Sequence, residues 1–236
     1  MSYYKRNLPH YQPKGYYYFI TTRLAGSLPR EVVVKIQTQM EEEIKVIPEN
    51  FNKKYTTEKF NNIRRSYFHK YEEILDLAKY GNTWLNIEKI AKIVKDALHF
   101  YDEKRYNLIC YTIMPNHIHL VLYPIVERNS VSLNSRNEGS NDKIKTINYR
   151  KSGSEDSLYI VTEIMQNIKK YTAREANKIL NRTGQFWQHE SYDHVIRNNE
   201  ELYNTVNYIL NNPMKAGLVR NPADWKWNYV NNKLLV

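Results

Sequence analysis

Apolar positions recur along this chain with two periods, and the period changes from segment to segment. Residues 15–24 (GYYYFITTRL) are aromatic and β-branched, bounded by Gly15 and by Gly26-Ser27-Leu28-Pro29, and they predict a strand. Val33, Ile36, Met40, Ile44 and Ile47 then recur at helical spacing, which predicts a helix over 30–47 that stops at Pro48. A second helix is expected over about 86–102, with Ile87, Ile90, Val94, Ala97 and Leu98 on one side. Tyr106–Met114 (YNLICYTIM) and His117–Tyr123 (HIHLVLY) are both strand-like and flank Pro115-Asn116. That pattern fits a hairpin, or one strand bent at Pro115. A long helix over 158–182 turns Ile160, Ile164, Ile168 and Tyr171 inward and ends before Gly184. After a short FWQHESYDHVI segment comes a helix at about 199–211 halted by Pro213, then a turn (MKAGLV) and a Trp-rich tail.

Two segments break these periods. Residues 49–83 are polar and charged, with helix-like patches such as KYEEILDLAKYG. Residues 128–157 are rich in Ser and Asn and nearly free of aromatics, the composition of a flexible polar loop. There is no internal repeat and no glycine-rich phosphate loop. Helices interleaved with hairpin-like strands predict an α+β fold, with helices laid against an antiparallel sheet. The whole of 1–236 is expected to form one domain.

Composition narrows the partner. The chain carries 35 Lys+Arg against 25 Asp+Glu, a net charge of +10, which suits a polyanion because cations that neutralise phosphates release counterions. Its 21 tyrosines offer faces on which unpaired bases stack, so single-stranded or locally melted nucleic acid is favoured over duplex. A basic protein with tyrosines in its core and surface has the same composition. Lone Cys110 excludes an internal disulfide, and no Cys/His spacing indicates a zinc finger. The first residues lack the apolar stretch of a secretory signal, and no run approaches the roughly 20 apolar residues of a membrane helix. A cytoplasmic protein with no membrane partner is expected.

The candidate chemistry begins with His117-Ile118-His119. On a strand, alternate side chains share a face, so both imidazoles point one way while Ile118, Leu120 and Leu122 point the other. Two imidazoles on a rigid base suit a metal ion, although two surface histidines would look the same. On the 199–211 helix, Leu202, Val206 and Ile209 form an apolar stripe, whereas Glu201, Asn204, Tyr208 and Asn212 share a different face. Asn212, just before Pro213, reads as a helix terminus or as an amide oxygen offered to a metal beside Tyr208. A tyrosine, two histidines and an amide oxygen together suit attack of a tyrosine hydroxyl on a phosphodiester, assisted by a divalent cation. A covalent phosphotyrosine conserves the bond energy, so it implies cutting followed by joining.

The stretches IMPNHIHLVLYP, QNIKKYTAREANKI, GQFWQHESYDHVIRNNEEL and VNYILNNPMKAGLV, in that order, resemble the REP-associated tyrosine transposases. These are relatives of the single-tyrosine HUH transposases of bacterial insertion sequences. The likeness runs from the GYYYFITTRL strand to the DWKWNY tail. It implies a ferredoxin-like α+β nuclease domain in a bacterial cytoplasm. It also implies His117 and His119 as metal ligands, Tyr208 as the nucleophile that leaves a 5′-phosphotyrosine and a free 3′-hydroxyl, and Asn212 as the group completing the metal site. The implied metal is Mg²⁺ or Mn²⁺, with no small-molecule cofactor, and the implied substrate is single-stranded or hairpin DNA of the REP type. Against that pattern, 49–83 reads as a family-variable insertion; it and the 128–157 loop bear on DNA specificity rather than chemistry.

Lys169, Lys170, Arg174 and Lys178, with Tyr171 as a stacking ring, are the DNA-facing candidates on the long basic helix, and Arg197 is a further one near the Tyr208 helix. Lys5, Arg6 and Lys14 near the start, and His189 and His194, are weaker candidates. Two rival readings are a domesticated nucleic-acid-binding protein that does not cut, and a metal hydrolase using water on the two histidines. A monomer and a homodimer, in which Tyr208 would serve the partner's histidines, both fit.

Overall fold

The computed structural model describes residues 13–47, 53–125, 160–231 and 233; the 128–157 loop, Lys5 and Arg6 lie outside them. The elements in chain order are β1 (Tyr17–Arg23), α1 (Arg30–Lys45), α2 (Lys53–Asp76), α3 (Glu88–Phe100), β2 (Tyr106–Ile113), β3 (His117–Pro124), α4 (Ile160–Ile179), β4 (Tyr192–Ile196), α5 (Asn199–Lys215) and β5 (Asn228–Val230). The strands form one antiparallel sheet in the order β4-β1-β3-β2-β5. Its first four strands, with α3 crossing from β1 to β2 and α4 from β3 to β4, make the ferredoxin-like βαββαβ pattern, to which β5 adds an edge. No helix among the described residues is long and apolar enough to cross a membrane.

Pro115-Asn116 makes a hairpin turn: β2 and β3 pair antiparallel with Thr112 opposite His119 and Ile113 opposite Ile118. Strand alternation then sorts the two faces. Tyr18, Ile20, Ile118, Leu120 and Leu122 join Ile90, Val94, Leu98, Ile164 and Ile168 in the main core beneath α3 and α4. Phe19, Ile109, Cys110 and Val121 pack with Leu202, Val206 and Ile209 of α5 on the opposite face. His117 and His119 belong to that second face. Cys110 is buried there, and burial pushes its thiol up to about 12, so it is an inert packing group.

One expectation is corrected. The Tyr208 helix is not halted by Pro213 but runs on to Lys215 and ends at Gly217, whose φ of +72° is the left-handed conformation of a helix stop. Pro213 removes one donor, yet Ala216 N still reaches Asn212 O at 2.9 Å and Leu218 N reaches Pro213 O at 2.9 Å, which carries the helix past it. The helix-like patches of the polar 49–83 segment lie in an inserted helical segment: α2 pairs with α1 around Ile36, Ile47, Ile63 and Tyr67.

The chain leaves the sheet for α1 and returns from α2 through a tight neck. Gly81 has φ +70°, and a Cβ there would sit 2.0 Å from Gly26 O. Gly217 has the same sign of φ but open space around it. Gly81→Ala is therefore expected to destabilise the fold by about 3 kcal/mol or more, while Gly217→Ala costs about 1 kcal/mol. Urea unfolding of the two variants checks this, and equal losses would contradict the close approach.

Candidate metal centre

The site forms where the second face of the sheet meets α5 and the last two turns of α2. His117 and His119 are fully buried, two residues apart on β3 with their Nε2 atoms 3.0 Å apart. The third member is Asp76, the last residue of α2. Its Oδ1 lies 3.3 Å from His117 Nε2 and 3.2 Å from His119 Nε2. Its Oδ2 accepts a 2.7 Å hydrogen bond from the Tyr208 hydroxyl. One carboxylate therefore touches both histidines and the tyrosine.

The outer partners decide which ring nitrogens carry protons. Asn116 donates its Nδ2 to Leu75 O, which turns its Oδ1 toward His117 Nδ1 at 2.7 Å. An amide oxygen only accepts, so His117 carries its proton on Nδ1 and leaves Nε2 bare. Thr21 Oγ1 donates its single proton to the Glu72 carboxylate at 3.0 Å, so toward His119 Nδ1, 2.8 Å away, it can only accept. His119 Nε2 is then bare as well. Two nitrogen lone pairs and a carboxylate oxygen converge on one point, an arrangement that repels itself unless a cation or an extra proton sits among them.

The separations fit a cation. Donors held ~2.1 Å from one ion lie roughly 3.0 Å apart in octahedral geometry and roughly 3.4 Å apart in tetrahedral geometry. Asp76, His117 and His119 are the one group among the described residues whose His, Cys, Asp or Glu donor atoms gather closely enough for a metal. Two imidazoles and one carboxylate on a common face suit a divalent transition ion. Asn212 adds a second indication: it is fully buried one turn after Tyr208, and neither its Oδ1 nor its Nδ2 has a hydrogen-bond partner. An unpaired buried amide costs about 1–3 kcal/mol, which an ion or an incoming polar ligand would offset.

Electrostatics follow from burial and the shared carboxylate. Burial, aided by neighbouring His119, pushes His117 down to about 4 against the opposing pull of Asp76. Burial alone would raise Asp76, but when the histidines take up the extra proton their Nε2–H hydrogen bonds and positive charge outweigh that and hold it well below the usual carboxylate range. Burial, the Glu72 and Asp76 charges and the bond to Asp76 raise Tyr208 far above an ordinary phenol. Asn212 opposes this, although its contact with the hydroxyl falls outside ordinary hydrogen-bond geometry. The Tyr208 ring meets Phe19 edge-on with centroids 6.0 Å apart, and Lys215 Nζ lies 5.1 Å from its centre. Asn198 fixes the start of its helix by accepting from Glu201 N at 2.8 Å.

A groove of about 680 Å³ opens beside the tyrosine, lined by Phe19, His69, Tyr192, His194 and Asn204 and by five carboxylates, Glu72, Glu73, Asp76, Glu200 and Glu201. His194 is engaged by Glu201 at 2.7 Å.

The other residues singled out from sequence lie elsewhere. Lys169, Lys170, Tyr171, Arg174 and Lys178 are on α4, across the sheet from the histidines. Lys169 spends its ammonium on Gln188 O, His189 O and Ser191 Oγ, and Arg174 and Lys178 both pair with Glu175. Lys170 and Tyr171 are exposed. Arg197 is exposed at the entry to α5, its backbone N–H held by Glu201. Sequence reasoning missed Asp76, Glu72, Thr21 and Asn116. The spacing of His69, Glu72 and Asp76 along one helical face was visible, but nothing local ties that face to histidines some forty residues further on.

No protein-family model matches the chain, and no curated protein matches it. Among solved structures it is similar to one described as the REP-associated tyrosine transposase bound to a REP hairpin. The identity is 19%, with 97% of this chain and 82% of that one covered and a TM-score of 0.41.

The His117 shift has a testable sign. Its folded pKa, about 4, lies below the ordinary value of 6.5, so between those values the unfolded chain binds a proton that the fold does not. Stability of the metal-free protein is expected to fall as pH drops from 6.5 toward 4. Thermal melts of wild type and His117→Gln check this, and a wild-type melting temperature that declines no more than the variant's would contradict it.

Proposed function

We propose that this protein is a metal-dependent DNA strand transferase, a tyrosine transposase that cuts and rejoins single-stranded or hairpin DNA through Tyr208. The observation that carries the reading is the divided carboxylate of Asp76, with one oxygen facing the two bare histidine nitrogens and the other holding the Tyr208 hydroxyl. A nucleophile and a cation site joined in this way suit phosphoryl transfer to tyrosine. A hydrolase would need a water-activating group here and no tyrosine. The transposase-like order of motifs in the sequence points to the same chemistry.

In this reading His117, His119 and Asp76 hold the ion, with the unpaired Asn212 as a further ligand. A bound divalent cation would polarise a non-bridging phosphate oxygen and offset the charge that develops in the transition state. Two imidazoles suit Mn²⁺ better than Mg²⁺. Thr21 and Asn116 keep the histidine protons on Nδ1, and Asp76 orients the hydroxyl of Tyr208. The tyrosine oxygen forms its bond to phosphorus as the bond from phosphorus to the 3′-oxygen breaks. The nearest acceptor for the tyrosine proton is Asp76 Oδ2, and the departing 3′-oxygen takes up a proton to become a free hydroxyl. The 5′-phosphotyrosine keeps the bond energy, and attack by another 3′-hydroxyl reverses the chemistry and joins a strand. With α2 seated on the sheet, the acidic groove repels a bare phosphate, so a phosphate settles beside Tyr208 only when the cation is bound. Lys170, Tyr171 and Arg197, exposed, and the remaining cations of α4 are proposed to hold more distant parts of the strand.

Tyr208→Phe is expected to abolish a covalent protein–DNA adduct on denaturing gels while DNA binding changes less than about threefold. EDTA should stop adduct formation, and Mn²⁺ should restore it at lower concentration than Mg²⁺. An adduct formed by the Phe variant would remove Tyr208 from its role, and an adduct indifferent to chelation would remove the ion. Salt-sensitive binding with no adduct from wild type would favour the non-cutting binder instead.

A further inference from the structure

The two helices between β1 and α3 form an arm with its own small core. Ile36, Ile47, Ile63 and Tyr67, with Met40, Phe60 and Ile74 against them, are separate from both clusters that pack on the sheet. The arm leaves and returns through one neck, where Asn82 N reaches Gly26 O at 3.2 Å and Asn82 Nδ2 reaches Ala25 O at 2.7 Å. It meets the site with its last turns only. There Leu75 O takes Asn116, Glu72 takes Thr21, and Asp76 takes the histidines and Tyr208. One aromatic stack, Phe68 on Tyr192, adds to these polar contacts. The polar links just named converge on the metal triad or on the tyrosine, while Tyr71 of α2 also feels the charge of Arg23 on β1.

We infer that the arm is locked onto the sheet by the ion, so that metal binding and arm seating are one linked equilibrium; this rests on the reading that the triad holds a divalent cation. Without an ion, seating the arm drives a carboxylate against two nitrogen lone pairs. With an ion, the same contact supplies its third ligand. The cation therefore binds the seated state more tightly than the lifted one, where only two histidines remain, and it shifts the population by that difference. A lifted arm also releases the Tyr208 hydroxyl from Asp76 and uncovers the groove, so the DNA strand enters while the arm is up and the ion closes the arm behind it.

The test is single-molecule energy transfer in the full chain, with dyes on Lys35→Cys in the arm and Arg220→Cys beyond α5. Both positions are exposed, and buried Cys110 does not label. Calorimetry with Mn²⁺ accompanies it. In EDTA a broad or two-peaked distribution is expected, which Mn²⁺ narrows to one peak. In Asp76→Ala the distribution stays broad with or without Mn²⁺, and Mn²⁺ affinity falls about 10–100-fold. Wild type that binds Mn²⁺ without any change in its distribution overturns the linkage and leaves the metal site standing, whereas unchanged affinity in Asp76→Ala overturns the linkage and removes Asp76 from the ligand set. Wild type that binds no Mn²⁺ overturns the triad reading and the linkage together.

Discussion

The contact between Asp76 and the two histidines governs the rest of this molecule. A carboxylate and two neutral imidazoles, each with its lone pair aimed at the same point, cannot be packed together at no cost in a desolvated site. The surrounding groups make the conflict sharper rather than relieving it. Asn116 and Thr21 occupy the far nitrogen of each ring and so keep the near nitrogens bare. Such an arrangement makes physical sense around a positively charged partner. It also gives Tyr208 its setting, because the second oxygen of the same carboxylate is what the phenol holds.

The sheet supplies the rigidity this needs. His117 and His119 lie on a central strand, flanked by β1 and β2, with the main core of the protein pressed against the other face of β3. Their rings cannot move without disturbing that core. Asp76 stands on a helix whose apolar contacts are mostly with α1. The site thus joins a fixed half to a half that belongs to a separately packed arm, and the polar links between them are the seam.

Charge is distributed unevenly about that seam. The chain is strongly basic as a whole, yet the groove beside Tyr208 is lined with carboxylates. The cations of α4 lie across the sheet, several of them already engaged by Glu175 or by backbone carbonyls. A nucleic acid held by this protein would meet positive charge away from the chemistry and negative charge at it. In the proposed function, that division assigns attraction to the surface and leaves acceptance of a phosphate at the site to a bound ion.

Much of this was legible in the residues. The strand alternation at His117-Ile118-His119 placed both imidazoles on one face, because a period of two depends on the backbone alone. The helical period from Leu202 to Asn212 separated Tyr208 from the apolar stripe for the same local reason, and the interleaving of strands and helices indicated the antiparallel sheet. The continuation of α5 past Pro213 was not legible, since the hydrogen bonds that carry it are made beyond the proline. Asp76 was not legible either. Its segment reads as a polar stretch, and what makes it a site residue is a fold that returns α2 to the sheet through the Gly26–Gly81 neck. The sequence by itself determined the fold class, the histidine pair and the tyrosine, because each depends on local periodicity. Only the tertiary structure decided which carboxylate meets them, which ring nitrogens are bare and which cations face away, because those depend on contacts between residues far apart in the chain.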